Sequence, residues 1–180
     1  MADEDDVSDV EAVLAGDVER FDGIVERWQG PLVNLAWRFV RNEHVAEELA
    51  QEAFLKCFRR LSQWRRDSRF STWLFALALN VYRSHLRGAA GFGPPDDLGG
   101  LKPAAPLDHE IMAEQERELV RRAVAHLPAK YRDPLILFYF QEEDVGETAR
   151  ILRLPAGTIK ARLHRGRALL KERLQRWMTR

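Results

Sequence analysis

Between Gly88 and Leu107 the chain reads GAAGFGPPDDLGGLKPAAPL, and nine of these twenty residues are glycine or proline. Glycine costs backbone entropy and proline removes a donor, so neither helix nor strand can run through such a stretch. It is expected to be a flexible linker, and a coil of this length spans roughly 25 Å root-mean-square. The chain of 180 residues therefore divides into an N-terminal unit, 1–87, a linker, 88–107, and a C-terminal unit, 108–180. Each unit has the size of a small domain.

In both units apolar residues recur at steps of three and four, and no alternating pattern persists. The expected fold class is all-α: two small helical domains joined by a Gly/Pro-rich linker. Helices are expected at about 8–15, 18–29, 31–41, 43–61 and 70–87, then 109–126, 129–141, 145–152 and 156–176. Pro31, Pro128 and Pro155 stand near proposed helix starts, where a missing N–H costs least. The segment from Phe70 is apolar nearly all round, so it should form the centre of its bundle.

The formal net charge is zero, but the charge is segregated along the chain. Residues 1–26 hold ten acidic side chains against Arg20 alone. Residues 56–87 hold eight Lys or Arg against Asp67, and residues 155–180 hold eight against Glu172. Two distant basic segments suggest two surfaces for a polyanion, although solvated helix faces would look the same. The single cysteine, Cys57, excludes an internal disulfide and fits a reducing compartment. With an acidic start and no apolar run of spanning length, the chain is expected to be cytoplasmic and not inserted in a membrane.

The last helix is the most informative. On a helical wheel Ile159, Leu163, Gly166, Leu170 and Leu174 form one seam that must pack on something. Opposite lie Ala161, His164, Arg165 and Ala168, flanked by Lys160 and Arg162. Small residues at the centre of that face permit close approach, and arginine can pair with guanine O6 and N7. Upstream, ETARILRLPAGT supplies a short helix and a tight turn. Short helix, turn and longer basic helix is the helix-turn-helix order, in which the second helix enters the major groove by its N-terminal residues.

The segment RDPLILFYFQEEDVGETARILRLPAGTIKARLHRGRALLKERL resembles the C-terminal promoter-binding region of extracytoplasmic-function sigma factors of the sigma-70 family. The resemblance implies that Thr158, Lys160, Ala161, Arg162, His164 and Arg165 read the upstream (minus-35) promoter element. The sequence departs from the usual pattern at Glu143, Asp144, Thr148 and Arg153.

In the N-terminal unit, Ala46, Ala50, Ala53, Phe54, Cys57, Phe58 and Leu61 share one broad face of the helix from Glu43, which is expected to be core. Cys57 then reads as a small buried hydrophobe. The opposite face carries Glu48, Gln51, Glu52, Leu55 and Arg59. EELAQEAFLKCFRRL resembles the sigma-factor region that grips the clamp of the polymerase beta-prime subunit. That resemblance implies polymerase contacts by Glu48, Leu49, Gln51, Glu52 and Leu55, with core RNA polymerase (beta-prime clamp and beta subunit) as partner.

Next, SQWRRDSRFSTWLFALALNVYRSHLR places Trp64 among Arg65, Arg66 and Arg69. An exposed aromatic among phosphate neutralisers is the pattern of single-strand binders. Asn80 interrupts an apolar run and needs polar partners. The stretch from Phe70 to Asn80 resembles the same family's F-x-T-W-L-x-x-[IL]-A-x-N pattern. It implies that the loop around Ser62–Arg69 captures a flipped base of the downstream (minus-10) element, with Trp64, Arg65, Arg69, Asn80 and Arg83 on the DNA. Promoter DNA is thus the second implied partner and an anti-sigma factor a third.

No catalytic machinery is evident. The five histidines show no ligand spacing with Cys57 or carboxylates, so no metal or other cofactor is expected. The G-x-G at Gly91 and Gly93 lies in the linker, outside any strand–helix frame. The expected activity is that of a sigma factor directing core RNA polymerase to specific promoters in a stress or signal response, not of an enzyme. Two promoter elements about one and a half duplex turns apart lie roughly 50–55 Å apart, which one compact body of this size could not span. The rival readings are a stand-alone helix-turn-helix repressor or activator with an N-terminal sensing domain, and a helical adaptor that touches no DNA.

Overall fold

A computed structural model of the chain describes residues 2–88, 118–141 and 143–178. Their regular elements are all helical: α1 (Ala2–Leu14), α2 (Phe21–Val40), α3 (Glu43–Arg60), α4 (Phe70–Gly88), α5 (118–125), α6 (Ala129–Phe140), α7 (Val145–Leu152) and α8 (Ala156–Met178). Single 3-10 turns cover Val18–Arg20 and Leu61–Gln63. The expected linker beyond Gly88 and the first part of the expected helix over 109–126 lie outside the described residues.

The N-terminal unit is built around α4, which buries residues on every side, from Phe70 and Leu74 to Val81 and Tyr82. This is the arrangement its all-round apolarity requires. α2 lies chiefly along α3. The facing side of α3 consists largely of Ala46, Ala50, Ala53 and Cys57, all buried, and small side chains let the two backbones approach. Cys57 is inaccessible, and burial, helped by the negative charge of Asp6, pushes its thiol up to about 12. It is a packing residue. Tyr82 sends its hydroxyl to the Leu32 carbonyl oxygen at 3.0 Å, and burial holds its ionisation far above the ordinary range.

Three expectations need correction. The helices expected at 18–29 and 31–41 are one, Phe21–Val40, with Pro31 inside it. Proline in a helix interior costs about 3 kcal/mol. Ile24 on one side and Leu32, Leu35 and Phe39 on the other are buried together, at roughly 1.5–3 kcal/mol each, so packing outweighs the break. The first helix begins at Ala2 rather than at residue 8, because its acidic residues are structural. Asp6 and Asp9 are buried, Asp6 accepting from Arg27 Nε at 2.9 Å and Trp28 Nε1 at 3.0 Å, and Asp9 from Arg27 Nη2 at 2.5 Å. Arg20 adds a second cation to Asp9 at 2.6 Å. Gly23 leaves room for this contact, since a Cβ there would stand 2.9 Å from Asp9 Oδ2. Finally, Phe58, expected in the core, is 41% exposed and touches Phe21 edge to face at a centroid distance of 5.1 Å.

In the C-terminal unit two of the departures from the family pattern, Asp144 and Arg153, are absorbed locally, whereas the Oγ1 of Thr148 is buried without a hydrogen-bond partner. Asp144 caps α7 by accepting from the Glu147 N–H at 2.8 Å, the role a serine would fill. That bond is the main reason its carboxyl is held below the usual range. Thr148 is fully buried. Arg153 closes the helix in a left-handed conformation, φ 55°, where its N–H reaches the Ala149 and Arg150 carbonyls. A side chain there costs about 1 kcal/mol that glycine avoids. Arg153→Gly is accordingly expected to stabilise the C-terminal unit by about 1 kcal/mol, visible as a higher urea midpoint at unchanged slope.

The two units pack against each other, with α4 meeting α7. Val124, Ile136, Leu137 and Ile151 belong to the same buried cluster as the core of α2–α4. At the seam Arg41 pairs with Glu118, Arg83 with Asp133 at 2.8 Å, and Thr72 Oγ1 donates to Glu147 Oε2 at 2.6 Å. Arg38 lies nearby, its ionisation depressed by burial and by the charges of Arg121 and Arg41.

Candidate nucleic-acid and polymerase interfaces

α8 is positioned by its apolar seam. Ile159 and Leu163 are buried, and Gly166 lies so close to α6 that a Cβ would stand 3.0 Å from Leu135 Cδ1. The turn from Arg153 to Pro155 fixes the start of the helix, so the opposite face has one possible orientation. Lys160, Ala161, His164 and Arg165 are all exposed and contiguous on it, and Thr158 and Arg162 are half-buried at its margins. The face therefore offers a small central residue ringed by donors, a surface that fits a groove with acceptor edges.

The second basic surface is only partly as expected. Arg65 and Arg69 are exposed on the turn before α4, and Asn80 is exposed on α4, where solvent meets its polar needs. Trp64, expected as an exposed stacking platform, is instead 8% exposed. Its indole N–H donates to the Ser68 carbonyl at 3.1 Å, and its ring meets Phe70 edge to face at 5.3 Å. An aromatic this large finds more free energy under the loop than above it. It shapes the turn from beneath while Arg66, in a left-handed conformation at φ 62°, reaches Glu11 of α1. Arg83 is half-buried against Asp133. From Arg69 to Asn80 the helix rises roughly 16 Å, so these residues form an elongated track and not one pocket.

On α3 the outward face carries Glu48, Gln51, Glu52 and Leu55, all exposed, Leu55 by 58%. Leu49 does not join them: it is 3% exposed and belongs to the core. At one position after Glu48 on the wheel it turns inward toward Ala46 and Ala53. The sequence reading missed Phe58, one turn beyond Leu55, which extends the apolar part of this face. Its position at the edge of the core sector was the available signal. Glu52 pairs with Lys56 at 2.6 Å and Glu48 lies 3.4 Å from His44, so the charges on this face are held in order along the helix. No helix among the described residues is long and apolar enough to cross a membrane.

Known proteins share both halves of this architecture. Residues 24–91 match the family described as Sigma-70 region 2, and residues 117–170 match Sigma-70, region 4. The RNA polymerase sigma-H factor of Pseudomonas aeruginosa is 32% identical over 187 residues, covering 97% of this chain and 96% of its own. The ECF RNA polymerase sigma-E factor of Escherichia coli K12 is 30% identical over 177 residues, covering 92% of each. In fold, the chain is similar to CnrH, solved in complex with the cytosolic domain of CnrY, with TM-score 0.72 and 22% identity over 95% of this chain and 97% of that one. With both sigma-70 regions in order and likeness along almost its whole length, this chain belongs to the extracytoplasmic-function RNA polymerase sigma factors, and it directs RNA polymerase to promoters to start transcription.

Proposed function

We propose a division of labour within that activity. Residues 1–87 dock on the polymerase and hold the downstream element, and residues 108–180 read the upstream one. Glu48, Gln51, Glu52 and Leu55, joined by Phe58, meet the beta-prime clamp of core RNA polymerase, whose beta subunit is a further partner. Arg65, Arg69, Asn80 and Arg83 line the path of the downstream strand, over a turn that Trp64 supports from below. Thr158, Lys160, Ala161, Arg162, His164 and Arg165 face the upstream duplex. The protein works by binding and not by catalysis, in the cytoplasm, in a stress or signal response. An anti-sigma factor restrains it, as CnrY partners CnrH, which shares the fold.

The observation that carries this reading is the unbroken exposed row Lys160, Ala161, His164 and Arg165 opposite a buried seam. A helix merely solvating its charges has no need of a small residue at the centre of that row. Transcription from a random promoter library with core polymerase tests the reading, because enriched templates should share two elements at fixed spacing. Arg165→Ala should lower discrimination at one upstream base pair by about 1–3 kcal/mol, roughly ten- to a hundredfold. An unaltered base preference in that selection would remove Arg165 from the interface.

A further inference from the structure

Arg41 stands where the backbone favours glycine. It closes α2 in a left-handed conformation, φ 57°, with its N–H donating to the Trp37 carbonyl at 2.8 Å. A side chain in that conformation is a strain that glycine avoids, so this one calls for a role of its own. Its guanidinium is fixed from two directions. The group lies 4.0 Å from the centroid of the Trp37 ring, and its Nη2 donates to both carboxylate oxygens of Glu118 on α5. Nη1 remains, buried and without an acceptor among the described residues. A charged donor left in that state is costly unless something binds it.

Arg41 borders a recess between the end of α2 and α5–α6, lined otherwise by Arg38, Arg121, Val124 and Ile136. The recess measures about 220 Å³ with its open mouth included, and its inner part has room for one water-sized group. Three guanidinium groups therefore meet around one small space. Burial, joined by the charges of Arg121 and Arg41, depresses the ionisation of Arg38, so these cations crowd one another. Arg121 also lies 5.9 Å from the Trp37 ring, which gives two of the three a common aromatic support. Val124 and Ile136 are buried apolar walls, and walls of this kind strengthen any charged hydrogen bond made beside them. None of these residues belongs to the surfaces proposed for DNA or polymerase.

We propose that the recess is an anion site for a phosphate-class oxyanion, with Arg41 Nη1 donating to one oxygen and Arg38 and Arg121 supplying the balancing charge. Arginine suits this task better than lysine, because its planar fork matches the oxygen spacing of such an anion. The inner part is too narrow for a base or a sugar. The anion enters as a single group, either free phosphate or the terminal phosphate of a small molecule whose remainder stays at the open mouth. Because Arg41 comes from the N-terminal unit and Arg121 from the C-terminal one, the site is complete only with both.

Isothermal titration calorimetry of the full chain with inorganic phosphate, at an ionic strength held constant with sodium chloride, is expected to show one saturable site. Arg41→Lys keeps the charge but replaces the fork by a single ammonium, and should weaken binding at least tenfold. Arg121→Gln should weaken it severalfold from the other side of the recess, which keeps the site testable if the end of α2 tolerates no change. Glu118→Gln removes a competing negative charge while leaving an acceptor for Arg41 Nη2, and should bind phosphate at least as tightly as the parent chain. Adenosine 5′-diphosphate in the same titration distinguishes the two sources of the group. Tighter binding of the diphosphate would support a nucleotide-borne phosphate and equal or weaker binding a free one, and the site stands in either case. No saturable heat with the parent chain, or affinities of Arg41→Lys and Arg121→Gln within twofold of it, would overturn the assignment. So would a loss in Glu118→Gln as large as that in Arg41→Lys, because the response would then follow the ion pair and not the recess.

Discussion

Trp64→Ala is expected to lower the stability of the N-terminal unit by about 3–5 kcal/mol, the range for deleting a buried large aromatic. The ring is 8% exposed, packs on Phe70 and ties the turn through its N–H to the Ser68 carbonyl. Removing it leaves a cavity under a turn of charged residues, between the buried Leu61 and Phe70. Promoter opening should fail in consequence, because Arg65 and Arg69 lose their placement. Trp64→Phe separates the contributions: it keeps most of the packing and loses one hydrogen bond, so it should cost only about 1–2 kcal/mol. Urea unfolding followed by far-ultraviolet circular dichroism measures both. If the alanine variant lost less than about 1 kcal/mol yet still failed to open promoters, the indole would be a stacking surface after all.

The second large effect concerns α1. Its buried apolar side chains are Val10 and Val13, too few to dock a helix firmly, and its acidic residues supply the rest. Asp6→Ala leaves Arg27 Nε and the Trp28 indole N–H without their acceptor in a mostly buried setting. Losing a hydrogen-bonded charge of this kind costs about 2–3 kcal/mol. Because Arg27 retains Asp9, the loss should be local: α1 detaches before the bundle unfolds. Hydrogen exchange is then expected to accelerate across Ala2–Leu14 and to stay slow in α4, while Asp6→Asn restores most of the protection. Equal acceleration in α1 and α4 would show that the helix is part of one cooperative unit.

Much of the fold, and the exposed face that carries one candidate site, was legible before any coordinates. The seam of Ile159, Leu163 and Gly166 and the exposed row opposite it follow from helical periodicity, because a single surface helix has only one way to hide an apolar stripe. The core role of α4 and Cys57 follows in the same way. Periodicity failed where a tertiary partner changed the outcome. Leu49 and Phe58 sit near the boundary of the core sector of α3, and only the packing of the bundle around α3 decides that the first is inside and the second outside. Pro31 signalled a break that packing on both sides overrides. The acidic start reads as solvated charge until Arg20, Arg27 and Trp28, from elsewhere in the chain, are placed beside it.

Local pattern and motif order, then, determined the helical class, the two units, the family and the exposed face of α8, since each depends on neighbours a few residues apart. Only the tertiary structure decided that Trp64 lies under its loop and that Arg83 faces Asp133 across fifty positions. Such contacts join charges and surfaces distant along the chain, and their free energy depends on a mutual placement that no periodicity encodes.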